Sequence, residues 1–244
     1  MCIRDRVDPF RKGGLYVAAT SYKSGDYTPY LYHTSDYGKT WKLITKGINE
    51  EHFTRVIRAD LNIDGLLYCG TEFGMYISKD NGTSWQSFQL NLPEVPITDI
   101  TLKDNDLIVA TQGRSFWILD DLNVIWDLVA KDLDSNEMYL FPVHPSVGFG
   151  GSDRISDVNG TNHPEGIRIY FNIPEDNEDK SNYTLKFMND QAEIIRSFST
   201  NAKKDENKLI IEKGLNHFNW NMRYPKADNF DAVSYTHLTL PTKA

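Results

Sequence analysis

The sequence predicts an all-β chain: a partial β-propeller of about three four-stranded blades, followed by an immunoglobulin- or fibronectin-III-like β-sandwich. Three observations support this prediction. An eight-residue pattern occurs twice, its two copies lie 44 residues apart, and alternating apolar segments recur in the last third of the chain. A repeat of about 40 to 50 residues is typical of propeller blades built from four strands.

The repeated pattern is S/T-x-D-x-G-x-S/T-W, and it covers residues 34–41 and 78–85. A chance match is expected on the order of once per million windows, so two copies indicate a true repeat. Its aspartate can accept hydrogen bonds from backbone N–H groups later in the turn, and its glycine allows a positive φ. Its tryptophan opens the next strand, and we expect the ring to be buried against a neighbouring sheet. The pattern therefore predicts a structural corner rather than a catalytic aspartate.

A third, degenerate copy of the pattern ends the last blade. Asp121 and Trp126 stand at equivalent positions, whereas Asn123 replaces the glycine, and we predict a fourth strand that reaches Trp126. The residues predicted to build the structural corners are Thr34, Asp36, Gly38, Thr40, Trp41, Ser78, Asp80, Gly82, Ser84, Trp85, Asp121 and Trp126.

The two ends of the chain differ from the rest. Residues 1–6 and 233–244 resemble translated adapter sequence, so we predict that both are non-native and that the chain is an internal fragment. In this interpretation residues 7–128 form the partial propeller, 129–160 a turn-rich linker, and 161–232 the sandwich domain. The first blade would then lack its innermost strand.

Composition and charge limit the possible partners. The 244 residues carry a net charge of −8 with a pI near 5.2, which argues against binding to a nucleic-acid backbone. No apolar run approaches the roughly 18 residues of a transmembrane segment. We expect no cofactor and no metal: the acidic stretch 175–179 lacks EF-hand spacing and is predicted to be a solvated loop, with calcium binding as the alternative. Peptidase motifs such as H-E-x-x-H and G-x-S-x-G are absent from the sequence.

Residues 67–74 and 110–121, together with the two corner motifs, resemble a bacterial family of large sortilin-like propeller proteins with Asp-box (bacterial neuraminidase, BNR) repeats. Members of this family are often labelled glycosyl hydrolases. Residues 214–225 are similar to the closing strand of the sandwich domain that follows the propeller in that family. The resemblance implies an extracellular, periplasmic or cell-surface protein. It implies little about chemistry, because it rests on structural repeats.

Propellers usually bind ligands on the axial face, where the loops between the second and third strands of each blade lie, opposite the corners. The first of these loops is rich in tyrosine, which offers a large amphipathic contact area. The second and third carry Glu72 and Arg114, which can face one pocket or form a plain ion pair between blades. The candidate ligand-binding residues are Tyr22, Asp26, Tyr27, Tyr30, Glu72 and Arg114.

The sequence is compatible with two functions, and it favours the non-enzymatic one. We favour a non-catalytic secreted or cell-surface protein that binds peptide or glycan on its axial face, with catalytic residues unknown. The alternative is a glycosidase, sialidase-like or of another Asp-box type, whose catalytic residues lie mostly outside this chain. A sialidase needs three converging arginines, but Arg55 and Arg58 lie on opposite faces of one strand and cannot both join Arg114. Other glycosidases need two carboxylates about 5 to 9.5 Å apart, and no defined pair emerges.

Overall fold

The computed structural model describes residues 2–131, 136–145, 166–174 and 183–224. The chain is all-β with several small antiparallel sheets, and it divides into two compact units, Met1–Leu133 and Asp134–Ala244. The predicted acidic loop and the C-terminal adapter-like tail lie outside the described residues. Within the described ranges, no helix has the length and apolar character required to span a membrane.

The first sheet contains four antiparallel strands in chain order. Its strands are β1 (Cys2–Val7), β2 (Leu15–Ser21), β3 (Asp26–Thr34) and β4 (Lys42–Leu43). Six residue pairs join β1 to β2, so residues 2–7 occupy the innermost position. The expectation that the first blade lacks its innermost strand is therefore wrong. The adapter-like origin of residues 1–6 stays a prediction, because β-pairing needs little more than an extended backbone and compatible side chains.

The second sheet repeats this order and is the most deeply buried. Its strands are β5 (Thr54–Ala59), β6 (Leu67–Thr71), β7 (Gly74–Ser78) and β8 (Gln86–Ser87). Every residue of β6 and β7 is buried. One hydrophobic cluster joins this sheet to the first through Tyr16, Leu31 and Ile44, and another joins it to the third through Ile97 and Leu107. The unit is thus β-propeller-like, with successive sheets packed face to face.

The third sheet differs from the prediction. It has three strands, β9 (Ile97–Lys103), β10 (Asp106–Thr111) and β11 (Phe116–Leu119), which the helix α1 (Asn123–Lys131) follows. The predicted fourth strand reaching Trp126 is wrong. Leu119 and Ile125 stand where the other corners have hydroxyl side chains, so the third corner lacks the donors that close the turn. Trp126 lies on α1, and its indole Nε1 donates to Asp60 Oδ2 at 2.8 Å.

The first corner is held by a carboxylate that accepts hydrogen bonds from its own turn. Asp36 Oδ1 accepts from Thr34 Oγ1 at 2.8 Å and from Thr40 N at 2.9 Å, while Oδ2 accepts from Thr40 Oγ1 at 2.6 Å. The bond from the Thr40 hydroxyl is the main cause that lowers the pKa of Asp36 to about 2. Gly38 adopts φ 81°, which a residue with a Cβ resists.

The second corner has the same geometry. Asp80 Oδ1 accepts from Ser78 Oγ and from Ser84 N, both at 2.8 Å, and Oδ2 accepts from Ser84 Oγ at 2.5 Å. Burial by itself would raise the pKa of Asp80, but the hydrogen bonds from Ser84 outweigh it, so the pKa is lowered. In both corners the turn itself supplies the donors to the carboxylate.

The two corner tryptophans have different environments. Trp85 is 5% exposed, packs in the cluster between the first and second sheets, and donates from Nε1 to Ile44 O at 2.7 Å. Trp41 is 45% exposed and donates to Gly38 O of its own corner at 3.1 Å. The expectation that Trp41 is buried is wrong, because its ring lies beside Gly38 of its own corner and outside the cluster that joins the first and second sheets.

The described residues of the second unit form two small antiparallel sheets that share one hydrophobic cluster. The first sheet contains β12 (Tyr139–Leu140), β13 (Ile167–Ile173) and β16 (Gly214–Trp220), and the second contains β14 (Thr184–Met188) and β15 (Ile194–Ser199). Phe171 and Ile173 from one sheet and Phe198 from the other enter the cluster. The predicted linker contributes β12, whereas the predicted strand 208–212 forms one isolated bridge, at Lys208. The immunoglobulin-like topology stays a prediction.

Replacement of Trp85 tests the packing of the sheets. We expect Trp85→Ala to lower the free energy of unfolding by about 3–5 kcal/mol, because it leaves a cavity between two sheets and an unpaired carbonyl at Ile44. The control Trp41→Ala should cost about 1 kcal/mol or less, since that ring is half in solvent. Urea denaturation followed by far-ultraviolet circular dichroism measures both. Equal losses would contradict the role of Trp85 as the contact between sheets.

Acid titration tests the first corner. The folded pKa of Asp36, about 2, lies below the unfolded value of about 3.9, so its stabilisation is present above the unfolded pKa and is lost as pH falls through about 2. Asp36→Asn should therefore lower Tm at pH 7, and the difference from wild type should shrink toward zero near pH 2. Thermal melts at pH 7, 5, 3 and 2 check this. A difference that does not change with pH would show that the charge is not involved.

Candidate functional site

The predicted ligand-binding loops lie together at one end of the first unit. Thr54, which begins β5, pairs with Thr71, which ends β6. The hydroxyl of Thr54 lies 3.1 Å from the carbonyl oxygen of Ala19 and 2.8 Å from that of Tyr30, so it links the first and second sheets. This end therefore contains the β2–β3 loop, the β6–β7 loop and the chain entering β5. The corners follow β3 and β7 and lie at the opposite end.

The β2–β3 hairpin extends farther at this end than its counterpart in the second sheet. Leu15 pairs with Thr34 and Leu67 pairs with Ser78, so both hairpins have the same register at their base. From these pairs the hairpins span 20 and 12 residues, which leaves eight additional residues in the first. The additional residues include a 3₁₀ turn, Tyr22–Ser24. We call residues 20–29 the hairpin extension, and it carries the predicted Tyr22 and Tyr27.

The rings of the hairpin extension pack on a residue that precedes β5. Tyr22 stacks on Phe53 with ring centroids 5.0 Å apart and planes 11° apart, and Tyr27 meets the same ring at 6.0 Å. The guanidinium of Arg55 lies 5.8 Å from the Tyr22 centroid and 5.4 Å from that of Phe53. We call Tyr22, Tyr27, Phe53, Arg55 and Glu72 the aromatic patch. Tyr27 is 54% exposed, so the patch presents aromatic surface to solvent.

The charged centre of the patch is an ion pair within the second sheet. Arg55 Nε donates to Glu72 Oε2, and the two side chains are 22% and 25% exposed. Arg114 lies in the exposed β10–β11 turn, where its backbone N–H donates to Thr111 Oγ1 at 3.2 Å. Among the described residues no ion pair joins Glu72 to Arg114, so the ion-pair alternative is wrong, and the alternative that both face one pocket stays a prediction. Glu72 pairs with Arg55 instead, because the pairing of β5 with β6 brings positions 55 and 72 together.

A second aromatic edge continues from the patch. Phe73 follows Glu72 and is 46% exposed. Its ring centroid lies 4.8 Å from that of His52, whose Nδ1 is 2.9 Å from the hydroxyl oxygen of Tyr76. An exposed ring therefore lies near each member of the Arg55–Glu72 ion pair: Tyr27 near Arg55, through Phe53, and Phe73 next to Glu72 in the chain.

Asp26 and Tyr30 hold the hairpin extension together. Tyr30 OH donates to Asp26 Oδ2 at 2.8 Å, and Thr28 N donates to Asp26 Oδ1 at 3.0 Å. The tyrosine hydroxyl is the main cause that lowers the pKa of Asp26, and the same bond raises the pKa of Tyr30. Asp26 thus stays ionised beside the patch, and Tyr30 supports the extension from β3.

A second repeat, not used in the sequence prediction, stabilises the opposite end. Tyr16 OH donates to Asp8 Oδ2 at 3.1 Å, and Tyr68 OH donates to Asp60 Oδ2 at 3.0 Å. Both aspartates are buried, and burial is the main cause that raises the pKa of each tyrosine. The signal in the sequence is D-x₄-G-x₂-Y, which occurs at residues 8–16 and 60–68. We assign these pairs to structure.

Sequence reasoning also missed Phe53, Arg55 and Phe73 as members of the site. No motif marks them, and they become neighbours of the tyrosines only through the packing of two sheets. Arg58 binds elsewhere: it donates from Nε to Ile100 O at 2.5 Å and from Nη2 to Asp99 Oδ1 at 3.0 Å. Arg55 and Arg58 therefore form ion pairs with different carboxylates, Glu72 and Asp99.

Another carboxylate with a shifted pKa lies at the corner end. Burial raises the pKa of Asp106, and the nearby charges of Asp120, Asp121 and Asp104 raise it further. Among the described residues, no group of three or more His, Cys, Asp or Glu side chains is arranged to hold a metal ion.

No protein-family model and no curated protein matches the chain. Among solved structures it is similar to an ancestral GH74 enzyme (20% identity, TM-score 0.38, covering 46% of this chain and 13% of that one). It is also similar to the GH74 xyloglucanase from Xanthomonas campestris (15% identity, TM-score 0.36, covering 48% of this chain and 20% of that one). A third similar structure is YCF48 bound to D1 peptide (18% identity, TM-score 0.33, covering 46% of this chain and 34% of that one). The chain thus spans between 13% and 34% of the length of these structures. Similarity at this level does not assign a function.

The Asp106 site gives a prediction with the opposite sign to that for Asp36. Its folded pKa is raised, so the cost of ionisation to stability begins as the pH rises above the unfolded pKa and is complete above the folded pKa. Asp106→Asn should therefore raise Tm at pH 7 by about 1–3 °C, and this gain should disappear below the unfolded pKa of about 3.9. Calorimetric or dichroic melts at pH 7 and pH 3 measure it. A lower Tm at pH 7 would contradict repulsion among these carboxylates.

Proposed function

We propose that the first unit is part of a β-propeller that binds peptide or glycan through the aromatic patch without catalysing a reaction. The observation that carries this proposal is the hairpin extension, which places Tyr22 and Tyr27 against Phe53 at the loop end of the sheets. Tyrosine rings give a large contact area at low conformational cost, and their hydroxyls add hydrogen bonds. The half-buried Arg55–Glu72 pair adds polar groups beside the rings.

The hydrogen bonds and ion pairs of the ionisable groups support binding over catalysis. Asp36 and Asp80 accept hydrogen bonds from donors within their own corners. Glu72 is ion-paired with Arg55, and Arg58 with Asp99, so these arginines do not converge on one ligand carboxylate. The described residues of the patch therefore offer no separated pair of carboxylates of the kind that glycosidases use.

We propose further that the chain is a piece of a longer sortilin-like protein with Asp-box repeats. The support is the corner geometry, in which aspartate, two hydroxyls and glycine recur in the same roles in two successive sheets. An immunoglobulin-like sandwich after the propeller, and a secreted, periplasmic or cell-surface location, belong to the same proposal.

The second candidate is a glycosidase, and one observation favours it. Asp106 has a raised pKa next to other carboxylates, which is the property that a general acid requires. It lies at the corner end, away from the aromatic patch. An enzyme would therefore need its substrate at the end of the sheets opposite to the one that we propose.

Two assays on the full chain, and on a longer homologue, separate these functions. We expect no turnover of chromogenic glycosides above the blank, because the patch lacks a catalytic pair. Turnover that Glu72→Gln or Asp106→Asn abolishes would establish the glycosidase instead.

Peptide and glycan arrays test the binding function directly. We expect a retained ligand whose binding falls at least about tenfold in Tyr27→Ala, since truncation of a central tyrosine costs more than about 1.4 kcal/mol at many interfaces. The control is Tyr37→Asn, which changes an exposed tyrosine at the first corner to the residue that the second corner has at Asn81. Ligands that Tyr27→Ala retains fully would count against the aromatic patch.

A further inference from the structure

We infer, on the basis of the proposed function, that the aromatic patch takes a basic peptide, that is, an extended segment with lysine or arginine side chains. The inference narrows the proposed peptide or glycan ligand to one class. It rests on the charge around the patch, on the exposed rings, and on a contact that the patch already contains.

The segments that surround the patch carry a surplus of negative charge. The hairpin extension contributes Asp26 and Lys23, the chain entering β5 contributes Glu50, Glu51 and Arg55, and the β6–β7 loop contributes Glu72. These are four carboxylates against two cations. Because Arg55 is paired with Glu72, the remaining charge is that of Asp26, Glu50 and Glu51 against Lys23. Both glutamates are exposed, and a cationic ligand gains from this surplus.

The exposed rings are suited to the same ligand. A lysine or arginine head group that lies over an aromatic face is attracted by the ring quadrupole, and the gain is about 0.5–1 kcal/mol at an exposed site. The patch shows this geometry within the protein, since the Arg55 guanidinium lies 5.4 Å from the Phe53 centroid and 5.8 Å from that of Tyr22. Tyr27 and Phe73 are the rings with the most exposed surface in the same area.

The position of these rings favours a chain over a single cation. Tyr27 packs on Phe53, over which Arg55 lies, and Phe73 directly follows Glu72, the ion-pair partner of Arg55. Two basic side chains of one extended segment can therefore contact both rings, with the carboxylates beside them. A neutral glycan can stack on the rings but makes no use of the surplus charge. The net charge of −8 adds long-range attraction for a basic ligand.

The test uses the full chain and four probes that differ in one property each. They are a twelve-residue peptide of alternating lysine and serine, the same peptide with glutamate for lysine, the same peptide with glutamine for lysine, and cellohexaose. We expect the lysine peptide to bind with a Kd of about 10–100 μM, and the other three to bind at least tenfold more weakly. An increase in salt from 50 to 300 mM should weaken the lysine peptide several-fold. Fluorescence anisotropy and calorimetry measure these affinities.

Variants separate the patch from general attraction to an acidic protein. Tyr27→Ala and Glu51→Gln should each reduce the affinity for the lysine peptide about three- to tenfold. Two controls should leave it unchanged: Tyr37→Asn, at the corner end, and Glu193→Gln, which removes the same charge from an exposed site in the second unit. Circular dichroism establishes that each variant is folded, so that a loss of affinity is a loss of contact.

The outcomes separate a failure of the basic-peptide ligand from a failure of the proposed binding function. Equal binding of the lysine peptide by Tyr27→Ala and wild type would overturn the inference. So would stronger binding of the glutamate peptide or of cellohexaose, but if Tyr27→Ala abolished that binding, the proposed function would stand with a different ligand. If the folded protein bound none of the four probes, the inference would fail, and the arrays described above would decide the proposed function separately.

Discussion

The burial of apolar surface between successive sheets is the constraint on which the first unit depends. Strands β6 and β7 are buried along their whole length, with one cluster on the side of the first sheet and another on the side of the third. A sheet that is apolar on both faces cannot stay in water by itself, so the second sheet is stable only between its two neighbours. Trp85 contributes a ring and a hydrogen bond to this contact.

Because the faces of the sheets pack against each other, polar groups cluster at the two ends of the strands, apart from the ion pair of Arg58 with Asp99 between the second and third sheets. At the corner end, buried and half-buried carboxylates are satisfied by donors close in the chain, as in Asp36 with Thr40 and Asp60 with Tyr68. Such groups stabilise the fold and have little capacity left for a ligand. At the other end, the rings of Tyr27 and Phe73 remain exposed beside an ion pair. This difference between the two ends supports a function in recognition.

The hairpin extension explains why the first sheet, rather than the second, carries the aromatic patch. Both hairpins share the register at their base, but the second closes directly at Thr71 and Gly74, whereas the first continues for eight more residues. The extension reaches the second sheet, where Phe53 stacks on Tyr22 and the Thr54 hydroxyl donates to the carbonyl oxygen of Tyr30. An insertion at a loop tip is tolerated because it leaves the paired strands unchanged. A site can thus be added to a repeated scaffold without a change in its core.

The sequence by itself determined the features that depend on neighbours within a few residues. The two corners, the order of strands in the second sheet and the tyrosine-rich loop were predicted, because each depends on residues close together in the chain, as Asp80 and Ser84 are. Local chemistry also explains the error at Trp126, where the hydroxyl donors are missing. Tertiary structure decided the rest. The exposure of Trp41, the ion pair of Arg55 with Glu72 and the place of Phe53 under the tyrosines all depend on which sheet packs beside which. Burial and long-range pairing are properties of two segments at once, and no single segment of the sequence contains them.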